Sequence, residues 1–182
     1  MNQQKNHIAL IGFMGAGKTA TGLEISMRTE RDFVDTDEFV TQLTGYSIGD
    51  IFATQGEAAF REFEYMALSA ALQRPVPIIV ACGGGIVSNP DSLTLLKSRA
   101  VTVYLQIDSY QALTRIDDWT TRPLLAQAES VDAIHELAQS RLALYETAAD
   151  ISVKTDNLDV SRVSDLVIEK LKEAGYAKLL SG

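Results

Sequence analysis

Residues 12–19 have the types and spacing of a phosphate-binding loop. The pattern G-x-x-x-x-G-K-[ST], placed between an apolar stretch and a helical pattern, is matched by Gly12-Phe13-Met14-Gly15-Ala16-Gly17-Lys18-Thr19. Glycines let the backbone turn tightly enough for successive N–H groups to converge on phosphate oxygens, and the following helix presents its positive end to the same anion. The pattern predicts that Lys18 reaches the β- and γ-phosphates of a nucleotide and that the Thr19 hydroxyl ligates Mg²⁺.

Two carboxylates, Asp35 and Asp37, lie at the end of the second predicted strand. Residues two apart on an extended segment point to the same side, so both side chains could face the nucleotide site. One acid can then serve the metal while the other orients or deprotonates an acceptor hydroxyl. Taken alone, such a pair is more often a solvated strand end, and it gains meaning only beside the phosphate-binding loop.

The third predicted strand ends in Cys82 and then in three glycines, Gly83, Gly84 and Gly85. The glycines could form only a mobile turn. Because they close a buried strand, we favour the interpretation that they let backbone amides contact a small ligand without interference from a Cβ.

Two arginines lie on helix faces that should point inward. Arg141 falls on the apolar stripe of the helix predicted over 131–148, and Arg61 shares a face with Tyr65 and Leu68. A buried guanidinium needs an anionic or hydrogen-bonding partner. Each arginine alone is typical of a structural salt bridge, and Glu64 could orient Arg61; both together with the glycines favour a bidentate clamp on a ligand carboxylate.

Arg122 lies in a segment, residues 117–129, that has no clear hydrophobic period. Such a loop is either a passive surface loop or a lid. In a lid that closes over the site, a basic residue can neutralise charge on a transferred phosphoryl group.

Short apolar runs alternate with helical patterns along the chain, which predicts a parallel sheet flanked by helices in an α/β fold. The predicted strands cover residues 8–11, 33–35, 77–81, 100–105 and 150–153. The predicted helices cover residues 17–29, 37–44, 48–54, 56–72, 90–98, 110–116, 131–148 and 160–174.

The composition predicts one globular domain that spans residues 1–182. A net charge of −8 argues against nucleic acid or a membrane surface as a partner. The single cysteine and the polar residues 1–6 favour a cytoplasmic protein without a signal peptide, and no apolar run is long enough to span a bilayer.

These motifs together resemble the shikimate kinases, which belong to the nucleoside-monophosphate-kinase-like P-loop proteins. The resemblance extends over about residues 8–160. Besides the phosphate-binding loop, it is carried by Phe33-Val34-Asp35-Thr36-Asp37, Ile51-Phe52, Gly56-Glu57, Phe60-Arg61, Cys82-Gly83-Gly84-Gly85, Arg122-Pro123-Leu124-Leu125, and Arg141 with Leu144-Tyr145.

The resemblance implies a three-layer fold with a five-stranded parallel sheet in the order 2-3-1-4-5. It also implies an acceptor-binding subdomain at about 37–72 and a lid at about 115–129. The implied reaction transfers the γ-phosphate of ATP to the 3-hydroxyl of shikimate, in the pathway to chorismate, with ATP and shikimate as partners of a monomer.

Site roles also follow from the resemblance. ATP would be held by Gly15, Ala16, Gly17, Lys18, Thr19, Ala20, Arg115 and Arg122; Mg²⁺ by Thr19 and Asp35; shikimate by Asp37, Arg61, Gly84, Gly85 and Arg141. The catalytic groups would be Lys18, Asp37 and Arg122.

The sequence departs from the family pattern in two places that concern the nucleotide. The residues before Arg122 are Asp117-Asp118-Trp119 rather than glycine-rich, and the late adenine loop has Lys154 before Thr155 and Val160 in place of a proline. Neither departure removes a predicted catalytic group.

Three other functions are compatible with parts of the pattern. A kinase of another small hydroxy acid or polyol would also need an anion clamp. A nucleotide-binding regulatory protein would share the scaffold, although such proteins usually lose Lys18, the acid pair or the lid arginine. A nucleic-acid-dependent ATPase fits least, because the chain is acidic and no Asp-Glu pair ends the third strand.

Overall fold

Five parallel strands form the central layer of the protein, in the order β2-β3-β1-β4-β5, which confirms the predicted order. In chain order they are β1 (His7–Ile11), β2 (Asp32–Asp35), β3 (Ile78–Ala81), β4 (Ala100–Gln106) and β5 (Ile151–Lys154). The computed structural model describes residues 5–116, 123–126, 128 and 130–181.

Eight α-helices within these described ranges flank the sheet. They are α1 (Lys18–Thr29), α2 (Thr36–Thr44), α3 (Ile48–Leu72), α4 (Pro90–Arg99), α5 (Ser109–Thr114), α6 (Pro123–Ala126), α7 (Val131–Ala148) and α8 (Val160–Glu173). Most bounds agree with the sequence to within one or two residues, and α6 is an addition. The two helices predicted over 48–54 and 56–72 run on as α3, with a kink at Gly56, whose φ of 82° suits glycine.

Both faces of the sheet are covered, as the near-continuous apolar strands predict. Along β1, Ile8 and Leu10 pack with Val167 of α8 on one face, whereas Ala9 and Ile11 pack with Leu68 of α3 on the other. Burial of each large apolar side chain contributes about 1.5–3 kcal/mol. The sheet is therefore a fixed platform for the loops at its ends.

Because all five strands run in the same direction, their carboxyl ends meet at one edge of the sheet. At this edge the chain enters α1 after β1, enters α2 after β2, and turns through Gly83–Gly85 after β3. Ligands of open α/β sheets bind outside this edge. Within the described residues, no helix is long and apolar enough to cross a membrane.

Candidate active site

A cleft of about 1010 Å³ opens at the carboxyl edge of the sheet. It brings together the predicted site residues Gly15, Gly17, Lys18, Thr19, Ala20, Asp35, Asp37, Arg61, Gly84, Gly85, Arg115 and Arg141. Ala16 does not line the cleft; it is 1% exposed, and its N–H donates to the Phe13 carbonyl. Arg122 lies outside the described residues.

The phosphate-binding loop has the backbone that its glycines predict. Gly12, Gly15 and Gly17 have φ values of 148°, 77° and 87°, and a Cβ on Gly15 would overlap the carbonyl of Ala112. No described side chain caps α1, whereas Asp35 caps α2. The first N–H groups of α1 are thus left to an anion.

The Lys18 side chain binds the backbone of its own loop. Its Nζ donates to the carbonyls of Gly12 at 2.9 Å and Phe13 at 3.0 Å. The ammonium group therefore lies over the loop that is expected to hold the phosphates.

The two predicted metal ligands are in contact. The Thr19 hydroxyl donates to Asp35 Oδ2 at 2.6 Å, and Asp35 Oδ1 accepts from the Asp37 N–H at 2.9 Å. A hydroxyl and a carboxylate oxygen at this position suit Mg²⁺, which binds few protein ligands and keeps phosphate and water oxygens. In the described ranges, no group of three or more His, Cys, Asp or Glu side chains could hold a metal ion.

The prediction that Asp35 and Asp37 lie on one extended segment is wrong. Strand β2 ends at Asp35, and Asp37 lies in the first turn of α2. Both side chains nevertheless line the cleft, because the helix turns Asp37 toward the glycine turn.

Arg61 is already held by two carboxylates. Its Nη1 donates to Glu64 Oε2 at 2.8 Å and its Nη2 to Glu57 Oε1 at 2.6 Å. The Glu64 side chain is 1% exposed, and its burial raises its pKa to about 7, an effect that Arg61 opposes and Asp37 reinforces. The expected role of Glu64 in orienting Arg61 agrees with this geometry.

Arg141 differs from Arg61 in forming no salt bridge within the described residues. It is 6% exposed, its Nη1 lies 3.5 Å from the Gly84 carbonyl, and its charge acts on Glu64, the acid that pairs with Arg61. A buried cation at the wall of an open cleft can bind an anionic ligand.

Two of the three glycines after β3 make room for charged side chains of the protein itself. A Cβ on Gly83 would overlap Glu64 Oε1 and Asp37 Oδ1, and a Cβ on Gly85 would overlap the Arg61 guanidinium. The sequence predicts either a mobile turn or ligand contact for these glycines. The structure shows that they also let the charged groups of α2 and α3 close against the turn.

Known proteins match this chain over most of its length. The family model of shikimate kinase matches residues 14–172. The chain belongs to the shikimate kinase family. It is 39% identical to the shikimate kinase of Dehalococcoides mccartyi over 169 residues, which are 93% of this chain and 95% of that one. It is 38% identical to the enzyme of Bacillus anthracis over 167 residues, 91% and 98% of the two chains.

Solved structures show the same fold. The shikimate kinase of Acinetobacter baumannii in complex with shikimate superposes with a TM-score of 0.88 at 29% identity, over 94% of this chain and 95% of that one. The enzyme of Aquifex aeolicus gives a TM-score of 0.80 at 34% identity, over 93% and 98% of the two chains. A deoxyadenosine kinase of M. mycoides at 17% identity, with a TM-score of 0.57, shares the fold alone.

At the other end of the cleft of this shikimate kinase family member, Arg115 lies beside the loop that follows β5. Its Nη2 donates to the Thr155 carbonyl at 2.7 Å, and Leu158, Asp159 and Val160 line the cleft with it.

Sequence reasoning left three polar groups of the site out of the predicted binding set. Glu64 was expected only to orient Arg61, and Glu57 and the hydroxyl of Tyr145 were given no role. The spacing of Glu57, Arg61 and Glu64 at i, i+4 and i+7 on one helix is the signal that could have identified the two acids.

Proposed function

We propose that this chain transfers the γ-phosphate of ATP to the 3-hydroxyl of shikimate, with Mg²⁺, and so makes shikimate 3-phosphate. The observation that carries the proposal is Arg141, a buried cation that forms no salt bridge in the described ranges, in the same cleft as the phosphate-binding loop. An acceptor with a carboxylate provides the missing counter-ion. Membership of the shikimate kinase family supports this identification of the acceptor.

The nucleotide side of the proposal uses the loop and α1. Backbone N–H groups of Gly15, Gly17 and Ala20 would surround the phosphates, with Thr19 and Asp35 on Mg²⁺. Ala16 would support the loop through the hydrogen bond that its N–H donates to the Phe13 carbonyl. When bound, Mg²⁺ supplies positive charge that offsets the charge on the phosphates. Lys18 would move its ammonium from the carbonyls of its own loop to the transferring phosphoryl group, where Arg122 would join it.

The acceptor side uses the residues around the glycine turn. Asp37 would accept a hydrogen bond or the proton from the attacking hydroxyl, while Gly84, Gly85 and Arg141 would surround the ring and its carboxylate. Arg61 would reach the same carboxylate by giving up Glu57, whose side chain is 50% exposed and free to move into water. Glu64 would remain to hold the Arg61 guanidinium in place.

We also propose how the chain is divided into parts, its oligomeric state and its location. Residues 37–72 would form the acceptor-binding subdomain, and residues 115–129 the lid that carries Arg122. The protein would act as a cytoplasmic monomer without nucleic acid or a membrane, which its charge of −8 and its buried free thiol Cys82 support.

An assay of ADP release with several acceptors tests this function. Shikimate should give turnover at least tenfold above gluconate and quinate, and ³¹P spectra should show a phosphomonoester at the 3-position. Lys18→Met is the matched control for contaminating kinases, because it removes the cation and leaves the loop glycines. Release of ADP that does not depend on shikimate, or a preference for gluconate, would contradict the proposal.

A further inference from the structure

Tyr145 is a fully buried tyrosine whose hydroxyl points at the glycine turn. It lies on α7 one turn after Arg141, it is 1% exposed, and its hydroxyl donates to the Gly84 carbonyl. Its ring stacks on Tyr104 of β4, with 5.0 Å between ring centroids and 17° between planes. The stack fixes the ring, so the hydroxyl has a defined position.

The Gly84 carbonyl oxygen contacts two residues of α7. It accepts from the Tyr145 hydroxyl and lies 3.5 Å from Arg141 Nη1. The positive charge of Arg141 also acts directly on the Tyr145 hydroxyl. The orientation of this one peptide group therefore depends on Tyr145, and the Arg141 guanidinium rests on the same two oxygens.

The phosphate-binding loop lies against the turn at this point. The place where a Cβ of Gly84 would stand is 3.6 Å from the Met14 nitrogen and 3.7 Å from the Gly12 oxygen. Gly84 thus lies between the phosphate-binding loop and Arg141. A rotation of its peptide group would shift the part of the wall that the acceptor is expected to contact.

We propose that Tyr145 is a positioning residue for the acceptor, whose hydroxyl fixes the Gly84 peptide and the Arg141 guanidinium in the orientation that binds the acceptor carboxylate. The inference rests on the proposed function. It assigns Tyr145 no contact with the substrate. The role is separate from packing, because phenylalanine at this position keeps the ring and its stack and loses only the hydroxyl.

The test compares Tyr145→Phe with Tyr104→Phe. Both variants lose one hydroxyl from the same stacked pair, but in the described ranges the Tyr104 hydroxyl donates no hydrogen bond to the protein. A buried carbonyl that loses its donor costs enough to change a binding constant by roughly tenfold. We expect Tyr145→Phe to raise the KM and the calorimetric Kd for shikimate about tenfold, with the KM for ATP unchanged, and Tyr104→Phe to change neither.

Thermal unfolding of both variants controls for stability. An equal rise in the KM for shikimate in both variants, or a rise in the two substrates' KM values together, would overturn the positioning role and assign Tyr145 to packing. A Tyr145→Phe protein that binds shikimate like the wild type would overturn it too. If the wild type neither phosphorylates nor binds shikimate, the proposed function fails and this role fails with it. That outcome is visible in the wild type alone.

Discussion

Replacing Arg141 with methionine should stabilise the substrate-free protein, whereas the same replacement at Arg61 should destabilise it. The two side chains are similarly placed at the cleft but differ in their partners. Arg141 is 6% exposed and contacts the Gly84 carbonyl and the Tyr145 hydroxyl, while Arg61 binds Glu64, whose side chain is 1% exposed. Arg141 therefore rests on neutral oxygens, whereas Arg61 neutralises a buried acid.

The expected magnitudes follow from this difference. Exchange of a buried ionic group for an apolar side chain of similar volume is neutral or stabilising by a few kcal/mol. For Arg141→Met we expect a gain of about 1 kcal/mol, which for a chain of this length raises the Tm by about 2–4 °C. Removal of Arg61 leaves Glu64 buried without its salt bridge; breaking a buried pair costs up to about 3–5 kcal/mol, and uptake of a proton by Glu64 reduces this loss.

Differential scanning calorimetry of the two variants at pH 8, without ligands, measures these changes. The pH is chosen above 7, the approximate pKa of Glu64 beside Arg61, so that the wild type holds the charged pair. Loss of Arg61 raises the pKa of Glu64, so the variant must take up a proton or bury an unpaired charge. Thermal unfolding of Arg61→Met at pH 5 should show a smaller loss. If Arg141→Met lowers the Tm as much as Arg61→Met does, Arg141 is a structural counter-ion and the reasoning is refuted.

Three further predictions concern single acids and one histidine. Asp37→Asn should cut kcat roughly 10²-fold with Mg·ATP binding intact, whereas Asp35→Asn should be partly relieved by excess Mg²⁺; equal responses to Mg²⁺ would contradict the division of roles. Burial raises the pKa of Glu64 from 4.5 to about 7, so the folded protein holds a proton that the unfolded chain loses. The free energy of unfolding should therefore fall as pH rises through this range, and Glu64→Gln, followed by urea titration, should remove that slope. Burial, with help from Arg99, lowers the pKa of His7, whose Nδ1 accepts from the Ile78 N–H. Below about pH 6.5 the unfolded chain binds a proton at His7 that the folded protein does not bind. The free energy of unfolding should therefore decrease as the pH is lowered through this range, and it should decrease less in His7→Asn.

The elements of the fold could be predicted from local patterns. The strands are apolar because both of their faces are covered, and helix caps such as Ser47 and Asn89 mark where helices begin. The division of α3 at Gly56 could be predicted in the same way, because this glycine has non-helical backbone angles and the two predicted helices meet there at a kink.

The residues of the site could be predicted, but their pairing could not. Both arginines were expected on inward faces, and both line the cleft. That Arg61 forms salt bridges with Glu57 and Glu64 while Arg141 forms none in the described residues depends on the packing of α3 and α7 around the turn after β3. These pairings depend on tertiary packing, and the local patterns of a single sequence do not show which individual side chains will touch.

The claim that Arg141 binds the carboxylate of the acceptor is tested most directly by calorimetric binding of shikimate and its uncharged methyl ester to the wild type and to Arg141→Met. A buried charge pair that loses one partner costs about 2–5 kcal/mol, or roughly 30-fold to several thousand-fold in Kd. We predict that the wild type prefers shikimate over the ester by at least about 30-fold and that Arg141→Met loses most of this preference. An undiminished preference in Arg141→Met, with shikimate still bound in the cleft, would contradict the account.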